Sequence, residues 1–96
     1  MGATNIHYTY PIAWGKDGKD LTPREAYNIL YEQAVHDYGH DPYSGTIATC
    51  ELVGKIRKPK DDDDYFELLD TIDKREVKYY RDDENGKWVF IGWAAC

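Results

Sequence analysis

Two histidines and a cysteine have the types and spacing that could do chemistry in this chain of 96 residues. His36 and His40 are four residues apart, which places two imidazoles on one helical face within reach of a single zinc ion. Cys50, with a histidine as base and Asp37 or Asp41 as orienting carboxylate, has the residue types of an activated thiol. Residue types alone are therefore compatible with a metal site and with a small active site.

The setting of these residues favours simpler roles. Gly39 ends the predicted helix and places His40 in the capping turn, while His36 near the helix C-terminus suits the helix dipole. Cys50 lies in an apolar run, which is typical of a buried thiol. Without a third and fourth ligand the metal site stays incomplete. We expect no catalytic residue, metal or cofactor, and keep as the alternative a small enzyme or metal-binding domain centred on His36, His40 and Cys50.

The most distinctive feature is an abrupt change of charge. Residues 55–60 read KIRKPK, and residues 61–73 then carry seven acids and no base. Helical spacing, i, i+3, i+4 and i+7, separates the apolar residues Tyr65, Leu68, Leu69 and Ile72 of this segment. The segment therefore predicts a short helix whose first turn complements the helix dipole. The predicted binding residues are Asp61, Asp62, Asp63, Asp64, Tyr65, Glu67 and Asp70, joined by His40, Asp41 and Tyr43 in a loop between two elements. Acids at 82–84 are expected to add to the same surface.

The overall charge bears on the kind of partner. Eighteen acidic against twelve basic residues give a net charge of −6, which repels nucleic acid and anionic membranes. The basic run at 55–60 favours nucleic acid, and five aromatic residues could stack bases: Tyr79, Tyr80, Trp88, Phe90 and Trp93. The adjoining aspartates oppose this interpretation. We therefore expect a protein partner with a basic surface, no nucleic acid and no membrane.

Local signals predict the elements that must position these residues. Thr22 and Glu25 form a capping box and Pro23 suits the first helical position, so a helix is expected from Pro23 to Tyr38. The other predicted elements are strands at 6–10 and 44–56, the second of about eight residues, the helix at 61–73, and strands at 76–82 and 87–94. Asn85-Gly86 is a strong hairpin signal between the last two strands.

This order of elements predicts a fold class. We expect one small α+β domain over residues 1–96, with a mostly antiparallel sheet of three or four strands, both helices packed on one face and a C-terminal β-hairpin. The C-terminal strand KWVFIGWAA is long and apolar, so at a sheet edge it would have to be covered or paired, and a homodimer through it is one option. With no long apolar segment and no leader-like N-terminus, the chain is expected to be cytoplasmic.

Two short motifs carry a resemblance. Tyr43, Gly45, Thr46 and Ile47 in one predicted strand, with Gly92, Trp93 and Ala94 in the last, resemble small bacterial and phage-encoded proteins that share these motifs. The resemblance implies no particular fold or activity. It implies an accessory protein of a bacterium or mobile element, and such proteins often act by binding, including as inhibitors of host defence nucleases.

The leading hypothesis is therefore a non-enzymatic, acidic binding protein. It would inhibit or modulate a protein partner, such as a host defence protein, through the acidic segment 61–73 and exposed tyrosines. In that role the acidic helix would imitate a phosphate backbone in a basic groove, and electrostatic matching would give fast, salt-sensitive association.

Overall fold

A computed structural model describes residues 3–15, 18–38, 47 and 50–95 of the chain. The described elements, in chain order, are β1 (Ala3–Pro11), a short 3₁₀ helix (Ile12–Trp14), α1 (Pro23–Tyr38), β2 (Glu51–Lys55), α2 (Asp62–Asp70), β3 (Glu76–Asp82) and β4 (Lys87–Ala95). No helix in the described part of the chain is long and apolar enough to cross a membrane.

The start of α1 shows why its bounds are predictable. The backbone N–H of Glu25 donates to Thr22 Oγ1 at 3.2 Å, and Glu25 Oε1 accepts from the backbone N–H of Thr22 at 3.2 Å. These reciprocal bonds satisfy two donors that a helix N-terminus otherwise leaves without partners. The capping box and the predicted helix from Pro23 to Tyr38 are therefore both confirmed.

The four strands form one mixed sheet in the order β1-β4-β3-β2. β4 pairs antiparallel with β1 and β3, whereas β2 pairs parallel with β3. β3 and β4 form the predicted hairpin, and Gly86 in its turn has φ 63°, a left-handed conformation that glycine adopts without steric cost. The α+β class, the two helices and the C-terminal hairpin are confirmed.

The helices cover opposite faces of this sheet, which differs from the expectation that both pack on one face. On one face, Trp88, Phe90 and Val77 pack with the buried side of α1. On the other face, Val89 and Ile91 pack with Leu69 of α2. The reason lies in β4, whose successive side chains point to opposite faces and are apolar on both, so each face needs a cover.

The position of β4 bears on self-association. It lies between β1 and β3, so its two hydrogen-bonding edges are both occupied within the chain. β4 therefore has no free edge through which the predicted dimer could form by strand pairing. Both outer strands, β1 and β2, come from earlier in the sequence.

The second predicted strand is shorter than expected. The structure assigns β2 to Glu51–Lys55, and its pairing with β3 shifts register between Leu52 and Gly54. Residues 44–46, 48 and 49 of the predicted segment lie outside the described residues, as do the predicted loop residues His40, Asp41 and Tyr43. Ile47 and Cys50 are buried in the core beneath α1.

Candidate functional site

The beginning of α2 is built by two of the four consecutive aspartates. Asp61 is the N-cap residue, and its Oδ1 accepts from the backbone N–H of Asp64 at 2.8 Å. Asp64 forms a bidentate pair with the Arg57 guanidinium, with 2.5 Å between Nη2 and Oδ1, and also accepts from the backbone N–H of Lys60 at 2.8 Å. Asp61 and Asp64 thus hold the helix start and the chain that leads into it.

These bonds change the acidity of Asp64. The hydrogen bonds from the Arg57 side chain and then from the Lys60 backbone stabilise the ionised carboxylate and lower the pKa of Asp64 from 3.8 to about 2. Because the folded-state pKa is lowered, the stability that the bonds contribute is present above the unfolded-state pKa. It is lost as the pH falls through the folded-state value.

Replacing Asp64 by asparagine tests this linkage. We expect the melting temperature of the wild type to exceed that of Asp64→Asn between pH 5 and 7, and the difference to shrink progressively as the pH falls from about 5 to about 1. Thermal unfolding followed by circular dichroism across this pH range measures it. Asp63→Asn is the matched control, because Asp63 is exposed and has no ion pair among the described residues. A difference for Asp64→Asn that stays undiminished from pH 5 down to about pH 1 would contradict the assignment of these bonds to the ionised carboxylate.

The basic segment before α2 forms ion pairs with acids that follow it in the sequence. Besides the bond between Arg57 and Asp64, Lys58 Nζ lies 3.2 Å from Asp82 Oδ1 and 3.8 Å from Glu84 Oε2. The segment thereby joins α2 to the hairpin turn at one end of the sheet. Ion pairs this exposed to solvent are strongly screened and contribute little to stability. Their main consequence is that neighbouring acids screen Arg57 and Lys58, which reduces the basic surface that this segment offers to a nucleic acid.

The outer face of α2 is the part of the acidic segment that remains open to solvent. Its exposed side chains, which we call the α2 face, are Asp62, Asp63, Phe66, Glu67 and Asp70. Phe66 is 54% exposed although the helix buries Leu68 and Leu69. The α2 face therefore combines four carboxylates with one large apolar side chain on the exposed side of one helix.

Phe66 is a site residue that sequence reasoning missed. The predicted apolar stripe of this helix contains Tyr65, Leu68, Leu69 and Ile72, and Phe66 lies beside it. The signal that could have found it is this off-stripe position, since a large aromatic residue outside the buried stripe must point towards solvent.

Tyr65, a predicted binding residue, lies partly beneath the helix. Its ring contacts His7 of β1, with 6.0 Å between ring centroids, and Phe66, with 5.4 Å. Burial raises the pKa of the Tyr65 hydroxyl. Tyr65 thus packs mainly between α2 and the sheet and adds little to the exposed α2 face.

The alternative function, a small enzyme or a metal-binding domain, rests on residues that lie in different environments from one another. Cys50 is 8% exposed, and its thiol donates to the carbonyl oxygen of Trp93 at 3.5 Å. The Tyr27 hydroxyl donates to the Cys50 carbonyl at 2.6 Å, and burial raises the pKa of Tyr27 to about 12. His36 is on the exposed surface of α1. Within the described ranges no three His, Cys, Asp or Glu side chains are grouped as metal ligands, and His40 is outside those ranges.

Of the aromatic residues considered for base stacking, Tyr80, Trp88 and Phe90 are buried, and Tyr79 and Trp93 are partly buried. Trp88 and Phe90 lie under α1, and Tyr80 and Trp93 lie on the face that α2 covers. The Trp88 Nε1–H donates to the Leu21 carbonyl at 2.8 Å, and the Trp93 Nε1–H donates to the Leu69 carbonyl at 2.9 Å. Both indoles thus use their polar group inside the fold, so these side chains form no open stacking platform.

Comparisons of the chain with protein-family models, curated proteins and solved structures find no match. The resemblance to small bacterial and phage-encoded proteins accordingly stays a prediction. Any function must be inferred from the geometry and charges of the described residues.

Proposed function

We propose that this protein is a small acidic binding module that docks the α2 face on a basic surface of a protein partner. The observation that carries the proposal is the exposed ring of Phe66 among Asp62, Asp63, Glu67 and Asp70. An apolar anchor within a charged rim is the arrangement typical of an interface hot spot.

The two kinds of side chain would contribute differently. Burying the exposed part of the Phe66 ring would supply up to about 2 kcal/mol of affinity, because full burial of such a side chain stabilises by about 1.5–3 kcal/mol. The carboxylates would accelerate encounter with a basic surface and disfavour acidic partners. The aromatic anchor would therefore determine the affinity, and the acids the choice of partner and the rate.

The α2 face is held in place before any partner binds. The cap at Asp61, the bonds of Asp64 to Arg57 and Lys60, and the bond from Trp93 to the Leu69 carbonyl fix both ends of α2 on the sheet. A preorganised helix loses less conformational entropy on binding than a flexible segment does.

This geometry favours a mixed apolar and acidic contact over imitation of a nucleic-acid backbone. Two of the four consecutive aspartates are engaged inside the chain, and at the hairpin Lys58 pairs with Asp82 and Arg81 with Asp83. Inhibition of a host defence nuclease remains one form of the proposal. In that form, duplex DNA would compete with the protein for its partner.

Affinity capture with matched baits tests the proposal. Wild-type protein and an α2-face variant, Asp62→Lys/Asp63→Lys, are used to capture proteins from a lysate of the source organism. The control bait, Asp20→Lys/Glu51→Lys, makes the same change of net charge at two exposed residues away from α2. We expect mass spectrometry to find a partner retained by the wild type and the control but lost by the α2-face variant.

The design leaves Asp61 and Asp64 unchanged, because their replacement would also disturb the start of α2. Equal loss of the partner from the α2-face variant and the control bait would show that binding depends only on the net charge of the protein. Retention by the α2-face variant would contradict the assignment of the surface.

A further inference from the structure

A second candidate site lies on the opposite side of the sheet, between the end of β1, the 3₁₀ helix and α1. It is a groove of about 440 Å³, within the range of small ligand sites. Its walls include Tyr10 and Trp14 on one side and Glu25, Asn28, Ile29 and Glu32 of α1 on the other.

The first wall presents two aromatic rings. The Tyr10 and Trp14 rings lie nearly perpendicular, with an interplanar angle of 86° and 5.6 Å between their centroids. Trp14 is 67% exposed, whereas Ile12 in the same turn is 4% exposed. The backbone N–H of Ile12 donates to the Gly86 carbonyl at 2.9 Å, and its carbonyl accepts from the Leu21 N–H at 2.8 Å. A buried and hydrogen-bonded turn thus holds an indole ring out into solvent.

The second wall is acidic. Glu25, Asn28 and Glu32 recur at three- and four-residue steps, which places them on one face of α1. Glu25 Oε1 is engaged by Thr22 in the capping box, whereas Glu32 is exposed and forms no ion pair among the described residues. None of the described side chains that line the groove is cationic. The groove therefore combines aromatic rings with negative charge.

We propose that this groove binds the guanidinium group of an arginine side chain presented by a protein partner. A planar guanidinium can stack on an indole or phenol face while its N–H groups donate to carboxylate and amide oxygens. A lysine ammonium would supply the charge without the planar donor fork. The inference does not depend on the proposed role of the α2 face, because α1 and α2 cover opposite faces of the sheet.

A titration with single amino-acid derivatives tests the groove directly. N-acetylarginine amide is added to uniformly ¹⁵N-labelled protein, and the indole N–H signals are followed by NMR. N-acetylcitrulline amide is the matched probe, since it is nearly the same shape but uncharged. We expect a saturable shift of the Trp14 indole with a Kd of about 1–10 mM, no comparable shift with citrulline, and little change at Trp93, whose indole is hydrogen-bonded on the α2 side.

Two variants locate the binding energy. Glu32→Gln should weaken arginine binding about 3- to 10-fold by removing one carboxylate beside the cation. Trp14→Leu lacks the reporting indole, so its titration is followed through the backbone N–H signals of α1, and it should show no saturable binding. Asp20→Asn loses the same charge outside the groove and should keep the affinity within about 2-fold. Glu25 is left unchanged because it caps α1.

Three results would each overturn the proposal. They are an equal shift with the citrulline probe, no saturation of the arginine shift up to about 50 mM, and equal weakening by Asp20→Asn and Glu32→Gln. Unchanged unfolding temperatures of the variants establish that the fold is intact. Because the probes and variants leave α2 untouched, failure here is distinguishable from failure of the α2-face proposal.

Discussion

Replacing Phe90 by alanine should lower the free energy of unfolding by about 3–5 kcal/mol, the range for removing a large buried aromatic side chain. Phe90 is 0% exposed and lies at the centre of the core beneath α1. Its ring is 6.1 Å from that of Tyr27 on α1 and 6.4 Å from that of Tyr79 on β3, measured between centroids. The loss would be a large fraction of the about 5–15 kcal/mol that stabilises a domain of this kind.

The chain provides a matched control for this experiment, because its other phenylalanine is exposed. Phe66→Ala makes the same chemical change at a side chain that is 54% exposed, and it should alter the free energy of unfolding by less than about 1 kcal/mol. Urea denaturation of the two variants measures both values. Similar losses for Phe66→Ala and Phe90→Ala would mean that Phe66 is buried in solution and would remove the basis of the α2 face.

The second large effect concerns binding and also uses Phe66. Once the captured partner is purified, Phe66→Ala should weaken its affinity by about 30-fold, which corresponds to about 2 kcal/mol at an interface anchor. Because the substitution removes apolar contact and no charge, the salt dependence of the remaining affinity should stay that of the wild type. Isothermal titration calorimetry at two salt concentrations measures both quantities.

The matched variant for this comparison is Asp62→Asn/Asp63→Asn, which removes two charges and keeps the apolar anchor. It should lower the association rate and flatten the salt dependence, since charges on an interface rim act mainly on encounter. An affinity that Phe66→Ala leaves unchanged would contradict the division of roles between Phe66 and the carboxylates. So would a salt dependence that Asp62→Asn/Asp63→Asn leaves unchanged.

The elements that the sequence predicts well are those with local causes. The bounds of α1 follow from Thr22, Pro23 and Glu25 at its start, and the hairpin follows from Asn85-Gly86 between two β-rich runs. Each signal acts within a few residues, so it is visible without knowledge of the rest of the fold.

The arrangement of these elements depends on contacts that are distant in sequence. β1 pairs with β4 across most of the chain, and that pairing makes the C-terminal strand an inner strand. The placement of α2 on the second face follows from the alternation Trp88, Val89, Phe90, Ile91, which is apolar on both sides. The same run also suits an apolar strand at a sheet edge, so it does not by itself determine which strands are its neighbours.

The candidate site likewise has local features that the sequence predicts and long-range contacts that it does not predict. The acidic character of residues 61–73 and the helix are evident from the sequence, and Asp61 capping Asp64 is a local contact. The pairing of Lys58 with Asp82 joins residues far apart in the chain, so sequence reasoning could not distinguish carboxylates engaged in the fold from those open to a partner. The exposure of Phe66 follows from its position outside the buried stripe of α2, and the charge pattern alone does not indicate it.

The most direct test of the central claim is the hydrogen exchange of the backbone amides of α2, measured with and without the captured partner. Slower exchange across Asp62–Asp70 in the complex, with peptides from β2 unchanged, is the result we predict. Exchange across α2 that is the same in the free and bound protein, while another part of the chain becomes protected, would contradict the claim that the α2 face is the binding surface.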